Sequence, residues 1–500
     1  MKPSRSILIG FCGLVLAAAT TAVAQSQPTQ PGDSGQPPTL SPSSGSTTSV
    51  RAVEAGSSGE VDLLKRRVEE VEMQNRALLQ MVTELKARLD AAVSPKAVLH
   101  AASTATASPS SLPSEQTPAL SDQTDKNQPA RWSELIGDGN RFKLYGFLRL
   151  DLDIDSQRPN NAQIPLFITS PDPAAGGASI GEFSMHPRLT RFGIDYSGPR
   201  LERLGDAKLS GKLETDFENG GSESRQLIRI RHAFMRLDWS QFSLLAGQTW
   251  DIVSPLFPTV NSDTLQWNAG NVGDRRPQLR AAYEPKAGGG KLSIVGGLGL
   301  TGAIDAVDLD SNGFRDGEES RLPDVQERVG YSHAIGKDRT ASFGVSGSYG
   351  FLETTRPIAG RTDFHSQLLN VDFTVPFAGF LTLRGEGWWG RNLSDFRGGA
   401  GQGTVAATGR EIRGRGGWSE ANIRLSRYFS FNPGLSTDDP VDQDIPNGGR
   451  TRNRAFYFAN RISPGGNFLI GADYLRWLTS YKGLRRGLDN RVNIFLQYSF

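Results

Sequence analysis

The chain ends on the stretch Asp489–Phe500, which reads D-N-R-V-N-I-F-L-Q-Y-S-F. Every second residue from position 492 is apolar or aromatic: Val492, Ile494, Leu496, Tyr498 and Phe500. Asn493, Gln497 and Ser499 occupy the other face, where Phe495 is the exception. This period of two predicts a β-strand with one apolar and one polar face.

The composition is compatible with a membrane protein built from such strands. A last strand that ends on an aromatic residue, with a second aromatic two positions earlier, resembles the C-terminal signal of bacterial outer-membrane β-barrels. Only 37% of the residues are hydrophobic, and beyond the N-terminus no apolar run could span a bilayer as a helix. A helical membrane protein is therefore excluded. Transmembrane strands remain possible, because only the lipid-facing residues of each strand need to be apolar.

The N-terminus has the features of an export signal. Lys2 and Arg5 precede an apolar run over residues 7–19, and Ala22-Val23-Ala24 follows. This order predicts a secretory signal peptide over residues 1–24. The single cysteine, Cys12, lies inside it, so the mature chain would hold no disulfide, reactive thiol or lipid anchor.

Two low-complexity linkers, residues 25–59 and 94–134, flank a segment with a different period. In residues 60–93, apolar positions alternate at spacings of three and four: Val61, Leu64, Val68, Val71, Asn75, Leu78, Val82, Leu85, Leu89 and Ala92. This heptad pattern predicts an α-helical coiled coil and hence a homo-oligomer, although a lone amphipathic helix is the alternative. Asn75 at an a position would set register, but it does not distinguish dimer from trimer.

From Arg141 onward the chain alternates between apolar and polar positions to its end. About sixteen such segments can be counted, and short turns alternate with long polar loops (155–187, 251–276, 301–324, 391–415 and 434–451). We therefore predict an all-β transmembrane barrel of about 16 antiparallel strands over residues 141–500. An even strand count would leave both chain ends, and the coiled coil, in the periplasm. A soluble sandwich would also alternate, but it gives no reason for loop lengths to alternate.

Aromatic residues near strand ends are expected to form the interfacial girdles of this barrel. They are Tyr145, Tyr196, Trp239, Trp250, Tyr283, Trp388, Trp389, Trp418, Tyr428, Tyr474, Trp477 and Tyr498.

Arginine is the residue type that we expect to line the pore, because a fixed guanidinium lowers the barrier for anions. The candidates are Arg149, Arg191, Arg229, Arg231, Arg275, Arg276, Arg280 and Arg384. The alternative is that these arginines pair with lumen acids, namely Asp151, Asp153, Glu214, Asp216 and Glu386. The register around Arg229 and Arg231 stays open: with both inward, Met235 would follow them unless a bulge near Ala233 switches faces.

Three segments carry a family resemblance: R-I-R-H-A at 229–233, G-Q-T-W-D at 247–251 and R-R-P-Q-L-R at 275–280. In their order along the chain they resemble the DcaP-like porins. The resemblance implies a trimeric sixteen-strand channel with a periplasmic N-terminal coiled coil, which takes up small anionic solutes such as dicarboxylates. It also implies that the loop after the fifth strand folds inward as a constriction.

The expected function is thus an outer-membrane porin whose partners are small anionic solutes, membrane lipid and its own copies. The layout is also similar to that of phosphate-selective porins, and a structural tether with little conductance is an alternative from another class. No nucleic-acid partner is expected. Enzymatic function is not expected either, because the five histidines lack an adjacent nucleophile, a metal-ligand partner or a cysteine.

One loop matches the calcium-loop template. Its oxygen ligands and glycine would be Asp308, Asp310, Asn312, Gly313, Asp316 and Glu319. The flanks are strand-like, and an acidic glycine-containing loop can produce such a match by chance. No other cofactor is expected.

Deletion of residues 60–93 should loosen the oligomer while barrel insertion stays largely intact, because the heptad seam would hold the subunits together. Oligomer mobility in mild detergent measures the first effect. Unchanged mobility would show that the barrel alone holds the oligomer.

Overall fold

The computed structural model describes residues 134–137 (backbone only), 140–162, 164–218, 226–261, 265–336 and 338–500. The predicted signal peptide, first linker, coiled coil and the second linker up to residue 133 lie outside the described residues.

A single closed sheet of 16 antiparallel strands dominates the structure, as the sequence predicted. The strands are β1 Asn140–Asp155, β2 in two segments Glu182–His186 and Arg191–Leu201, β3 Ala207–Asp216, β4 Arg229–Asp238, β5 Phe242–Trp250, β6 Arg275–Tyr283, β7 Gly290–Gly299, β8 Asp324–Ala334, β9 Thr340–Ile358, β10 Arg361–Pro376, β11 Leu381–Arg391, β12 Arg413–Arg424, β13 Phe429–Pro440, β14 Arg450–Gly465, β15 Phe468–Tyr481 and β16 Leu484–Ser499. Each strand pairs with its sequence neighbour. Pro187 lies in the gap between the two segments of β2, where it has no N–H to donate to the ladder.

Minor elements decorate this sheet. They are the short strands Glu134–Gly137, Lys286–Ala287, Thr404–Val405 and Arg410–Glu411, the helix α1 Asp316–Glu319, and 3-10 turns at Pro173–Ala175, Glu202–Leu204, Ser394–Phe396 and Gly399–Gly401. No helix among the described residues is long and apolar enough to cross a bilayer.

The first and last strands close the barrel. Their antiparallel register runs from Phe147 opposite Ser499 to Ile154 opposite Val492. The terminal residue takes part: the Phe500 N–H donates to the Gly146 carbonyl at 3.0 Å, and the Gly146 N–H donates back at 3.3 Å. Closure pairs the edges of β1 and β16 with each other, which is the condition that hydrocarbon imposes on a sheet.

The two faces of the strands differ as the terminal stretch predicted. Ile494, Leu496 and Tyr498 are exposed on the outer wall, whereas Asn493 and Gln497 are buried on the inner side. The same holds around the barrel, where large apolar side chains such as Val345, Leu369 and Leu435 are exposed outward.

Connections differ in length at the two ends of the barrel. At one end, here the turn end, they are short: 202–206, 239–241, 284–289, 335–339, 377–380, 425–428 and 466–467. At the other, the loop end, six are long: 156–181, 217–228, 251–274, 300–323, 392–412 and 441–449. Two loop-end connections, 359–360 and 482–483, are tight hairpins with Gly360 and Gly483 at positive φ. The loop expected from residue 434 begins later, because β13 continues to Pro440.

Several aromatic residues expected in the girdles point inward. Trp250, Trp388, Trp418 and Trp477 are each less than a tenth exposed. Apolar loop residues enter the lumen and cover Trp250, Trp388 and Trp477; Trp388, for example, packs with Val253 and Val272. Trp389, Tyr428 and Tyr498 are exposed on the outside, as a girdle requires.

Inward-facing aromatic rings lie on glycines of the neighbouring strand. The directly opposed pairs are Tyr145–Gly193, Trp388–Gly416, Tyr457–Gly434 and Phe495–Gly471. At each glycine a Cβ atom would collide with the opposing ring. Glycine is therefore required there by space, and the ring in turn covers an otherwise bare stretch of backbone.

Substitution Gly471→Ala should lower the thermal unfolding midpoint, because the new methyl group must displace the Phe495 ring, and overpacking of this kind typically costs about 1–3 kcal/mol. Gly296→Ala is the matched control, since a Cβ atom there meets nothing within 4 Å. Equal midpoints for the two variants would contradict the packing argument.

Candidate functional site

The loop after the fifth strand, residues 251–274, folds into the barrel, and we call it loop 3. Nearly all of its described apolar side chains are buried: Ile252, Val253, Leu256, Phe257, Val260, Trp267, Ala269 and Val272. Val260 packs against Tyr457 and Leu475 of the far wall. A loop that reaches the far wall reduces the cross-section of the lumen, as the family resemblance implied.

Backbone N–H groups of loop 3 donate to side chains on four different strands of the wall. The donor–acceptor pairs are Ile252–Gln326 (2.7 Å), Leu256–Glu386 (2.7 Å), Thr259–Glu420 (2.8 Å) and Asn261–Asp473 (2.6 Å). Two of the acceptors, Glu420 and Asp473, are also paired with arginines, and hydrogen bonds to an ionised acceptor are about twice as strong as neutral ones. Wall acids therefore fix the path of the loop across the barrel.

Two wall arginines hold the same loop from its carbonyl side. Arg384 donates to the carbonyl of Phe257, and Arg461 donates to the carbonyl of Thr259. Each arginine also pairs with one of the acids that anchor loop 3: Arg384 with Glu420 at 3.2 Å and Arg461 with Asp473 at 3.0 Å.

Arg276 anchors the base of loop 3 and does not line open space, contrary to the expectation from the sequence. Its side chain is fully buried and pairs with Asp251, with Asp395 at 2.8 Å and with Asp324 at 3.8 Å. It also donates to the carbonyl of Leu300 at 3.1 Å. The sequence could not place Arg276 because its acidic partners come from two loops and from β8.

A β-bulge in β4 resolves the register that the sequence left open. Glu214 lies opposite His232 and Thr215 lies opposite Ile230, so Arg231 has no partner of its own. Arg231 and His232 consequently both point inward, and the faces switch there. Met235 is 63% exposed on the outer wall, whereas without this switch it would follow Arg229 and Arg231 into the lumen.

The bulge gathers three of the predicted arginines around shared acids. Arg231 binds Glu214 at 2.7 Å and Asp216 at 2.8 Å. Arg229 binds Asp216 at 2.7 Å, and Arg191 lies 3.6 Å from Glu214. The sequence grouped these residues as candidates, and the structure brings them into one cluster on β2, β3 and β4.

The remaining candidates are spread over the lumen. Arg149 binds Asp151 at 2.7 Å and lies over the ring of Phe495, 3.7 Å from its centroid. Arg275 is buried beside Trp250, with its guanidinium carbon 4.2 Å from the ring centroid. Arg280 donates to Gln278 at 2.8 Å and stays half-buried.

Most of these ion pairs are oriented in the same way. In the Arg229–Asp216 pair, 21% of the arginine side chain is exposed and none of the aspartate. The arginine is also the more exposed partner in Arg149–Asp151, Arg191–Glu214, Arg328–Asp372, Arg384–Glu420 and Arg461–Asp473. Arg231 and Glu214 are buried to similar degrees. The open part of the lumen thus borders the cationic side of the pairs.

Sequence reasoning missed several of these residues. Arg328, Arg461 and Arg491 form inward ion pairs, the last with Asp153 at 2.8 Å and Asp155 at 3.0 Å. Alternation alone could have found Arg461 and Arg491, which lie at inward positions of β14 and β16. Phe495 interrupts the polar face of the last strand, but its stacking with Arg149 and Arg461 depends on the neighbouring strands.

No protein-family model matches the sequence, and no curated protein matches it as a relative. Among solved structures, the barrel is similar to the outer-membrane channel DcaP of Acinetobacter baumannii, with a TM-score of 0.57 and 16% identity over 73% of this chain and 100% of that one. This chain has the DcaP fold. That agrees with the resemblance carried by the three segments of β4, β5 and β6.

Two further porins are similar at lower TM-scores. An anion-selective porin from Comamonas acidovorans gives a TM-score of 0.46 at 11% identity, over 72% of this chain and 100% of the porin. OmpF of Salmonella typhi, in complex with daunomycin, gives 0.45 at 13% identity, over 73% of this chain and 100% of OmpF.

The acidic loop between β7 and β8 brings part of the calcium template together. Oxygens of Asp308, Asp310 and Asp316 lie within 4.8 Å of one another. Glu319 instead accepts from the Asn312 side chain at 3.0 Å, and the Asn312 N–H donates to Asp308 at 3.1 Å. Burial and the nearby carboxylates raise the pKa of Asp316 to about 7. Calcium binding stays a prediction.

If calcium binds here, it should raise the thermal midpoint at pH 8 relative to EDTA, and the rise should shrink at pH 5.5. Protons compete for Asp316 below its pKa, which weakens binding by roughly tenfold per pH unit. Without metal, stability depends on pH with the opposite sign. Between the ordinary pKa of an aspartate and about 7, Asp316 keeps its proton in the folded state and has lost it in the unfolded state, so the loop is more stable at low pH.

Asp316→Asn should abolish the calcium effect at pH 8, and Asp338→Asn in a short turn should not. The absence of any calcium effect on the wild-type protein at pH 8 would refute the prediction.

Proposed function

We propose that this protein is an outer-membrane porin for the passive diffusion of small, preferably anionic, solutes such as dicarboxylates. A closed barrel with an apolar outer wall, a charged lumen and an inserted loop supports this function. Its short turns would face the periplasm and its long loops the exterior. The heptads of residues 60–93, outside the described residues, support an oligomer, and the family resemblance favours a trimer.

The orientation of the lumen ion pairs is the observation that carries the anion preference. A paired arginine and carboxylate have no net charge, but an ion in the lumen interacts mainly with the partner that it can approach. In six pairs that partner is the arginine. Glu386, Glu420 and Asp473 are withdrawn further because loop 3 covers them.

Replacement of Arg191 and Arg229 together by Gln should shift the reversal potential in a planar bilayer toward cation selectivity. The ratio of anion to cation permeability should fall by about fivefold, the factor that corresponds to about 1 kcal/mol for one unit charge at 4 Å in water. The measurement uses a salt gradient across the wild-type and variant channels.

The control is Arg415→Gln with Arg452→Gln, which removes two arginines from the outer wall and should leave the reversal potential unchanged. An unchanged reversal potential in the lumen variant would show that other charges set selectivity. Negligible conductance of the wild-type protein would instead favour a structural tether. Stronger block of the current by phosphate than by dicarboxylates would favour a phosphate channel.

A further inference from the structure

Outward-facing arginines cluster near the loop end of four strands, β12, β14, β15 and β16. They are Arg413, Arg415, Arg452, Arg454, Arg476 and Arg486, and we call them the rim patch. All six are exposed, whereas their neighbours on the inner face, such as Asn453, Ala455 and Trp477, are buried. These guanidinium groups therefore belong to the outer wall and have no place in the lumen.

The ladder registers place the patch residues close to one another. Arg415 lies opposite Asp439 of β13, Arg454 lies opposite Thr437, and Arg476 lies opposite Phe456. Adjacent strands are about 4.8 Å apart, and residues on one face of a strand are about 6.6 Å apart. Several of these long side chains can therefore reach one anionic group.

Acidic residues neutralise only part of the rim patch. Asp439 pairs with Arg452 at 2.7 Å and with Arg415 at 3.4 Å, and Asp444 pairs with Arg413 at 2.7 Å. Arg454, Arg476 and Arg486 form no ion pair with any residue that the structure describes. The patch thus carries excess positive charge on an exposed surface.

The rim patch also lies at a boundary of polarity. Toward the turn end, the next outward residues are apolar: Leu435 is 56% exposed and Phe456 is 47% exposed. In a bilayer such residues meet hydrocarbon, so the arginines would reach the headgroup layer. Outward positions near the loop end of β8–β10 are mixed instead, with Glu327, Glu353 and Asp363 beside Arg361.

We propose that the rim patch binds the phosphate groups of an anionic lipid in the external leaflet. Arginine forms bidentate hydrogen bonds with phosphate, and clustered basic residues beside an apolar belt attract anionic headgroups. The apolar belt beneath the patch supplies contact for the acyl chains of the same molecule, which free phosphate does not have. This inference rests on the proposed location in the outer membrane, but not on solute selectivity.

The test uses the full-length protein in nonionic detergent, titrated with lipid A, which is a diphosphorylated glycolipid, and followed by native mass spectrometry. The wild-type protein should retain lipid A. The affinity of the variant Arg452→Gln/Arg454→Gln/Arg486→Gln for lipid A should be lower by about tenfold or more. The control Arg356→Gln/Arg424→Gln/Arg427→Gln removes as many exposed arginines elsewhere and should bind like the wild type.

Three results would overturn the inference. An equal loss of lipid A binding in the control variant would indicate general charge attraction. Thermal stabilisation of the protein by inorganic phosphate equal to that by lipid A would indicate a site for a free anion. Dissociation of the oligomer in the rim variant alone would show that the patch contacts another copy of the chain. Conductance distinguishes this inference from the porin proposal: a conducting protein without lipid binding refutes only the former, and a lipid-binding protein without conductance refutes only the latter.

Discussion

The structure depends on one constraint: in hydrocarbon, each backbone N–H and C=O group must find its partner within the protein. A sheet can meet it only by closing, and here closure requires that strands separated by more than three hundred residues pair along β1 and β16. The outer wall then needs only apolar side chains at alternate positions. The inner positions are free to carry charge, so the chemistry of the protein lies inside the barrel.

Inside, the charged groups have two tasks. Carboxylates on β11, β12 and β15 accept backbone N–H groups of loop 3, and arginines on β11 and β14 donate to its carbonyls. Buried charges of this kind are costly when one partner is missing, which makes the position of the loop well determined. In the ion pairs of Arg149, Arg191 and Arg229, the arginine is instead the more exposed partner and stays partly open to the lumen. One set of side chains thus shapes the constriction, and the other gives the remaining space its charge.

The sequence predicted the barrel well because alternation is a local property that each strand carries by itself. The loops expected at 251–276 and 301–324 lie within two residues of the observed connections 251–274 and 300–323. The sequence could not show that Arg276 is enclosed by Asp251, Asp324 and Asp395, because those partners come from distant loops. Nor could it separate inward from girdle tryptophans, since Trp388 is covered by a loop more than a hundred residues away in sequence.

The stacking of Arg149 and Arg461 on Phe495 links assembly to the finished channel. Phe495 belongs to the last strand, so neither arginine gains its aromatic support until the C-terminal segment has docked on both neighbours. A chain arrested before that step would have a seam open to lipid and two lumen arginines without their aromatic contact. Docking of the last strand therefore closes the wall of the channel and also completes the contacts of two lumen arginines. A leaky precursor without that strand would differ from the mature pore both in its wall and in these contacts.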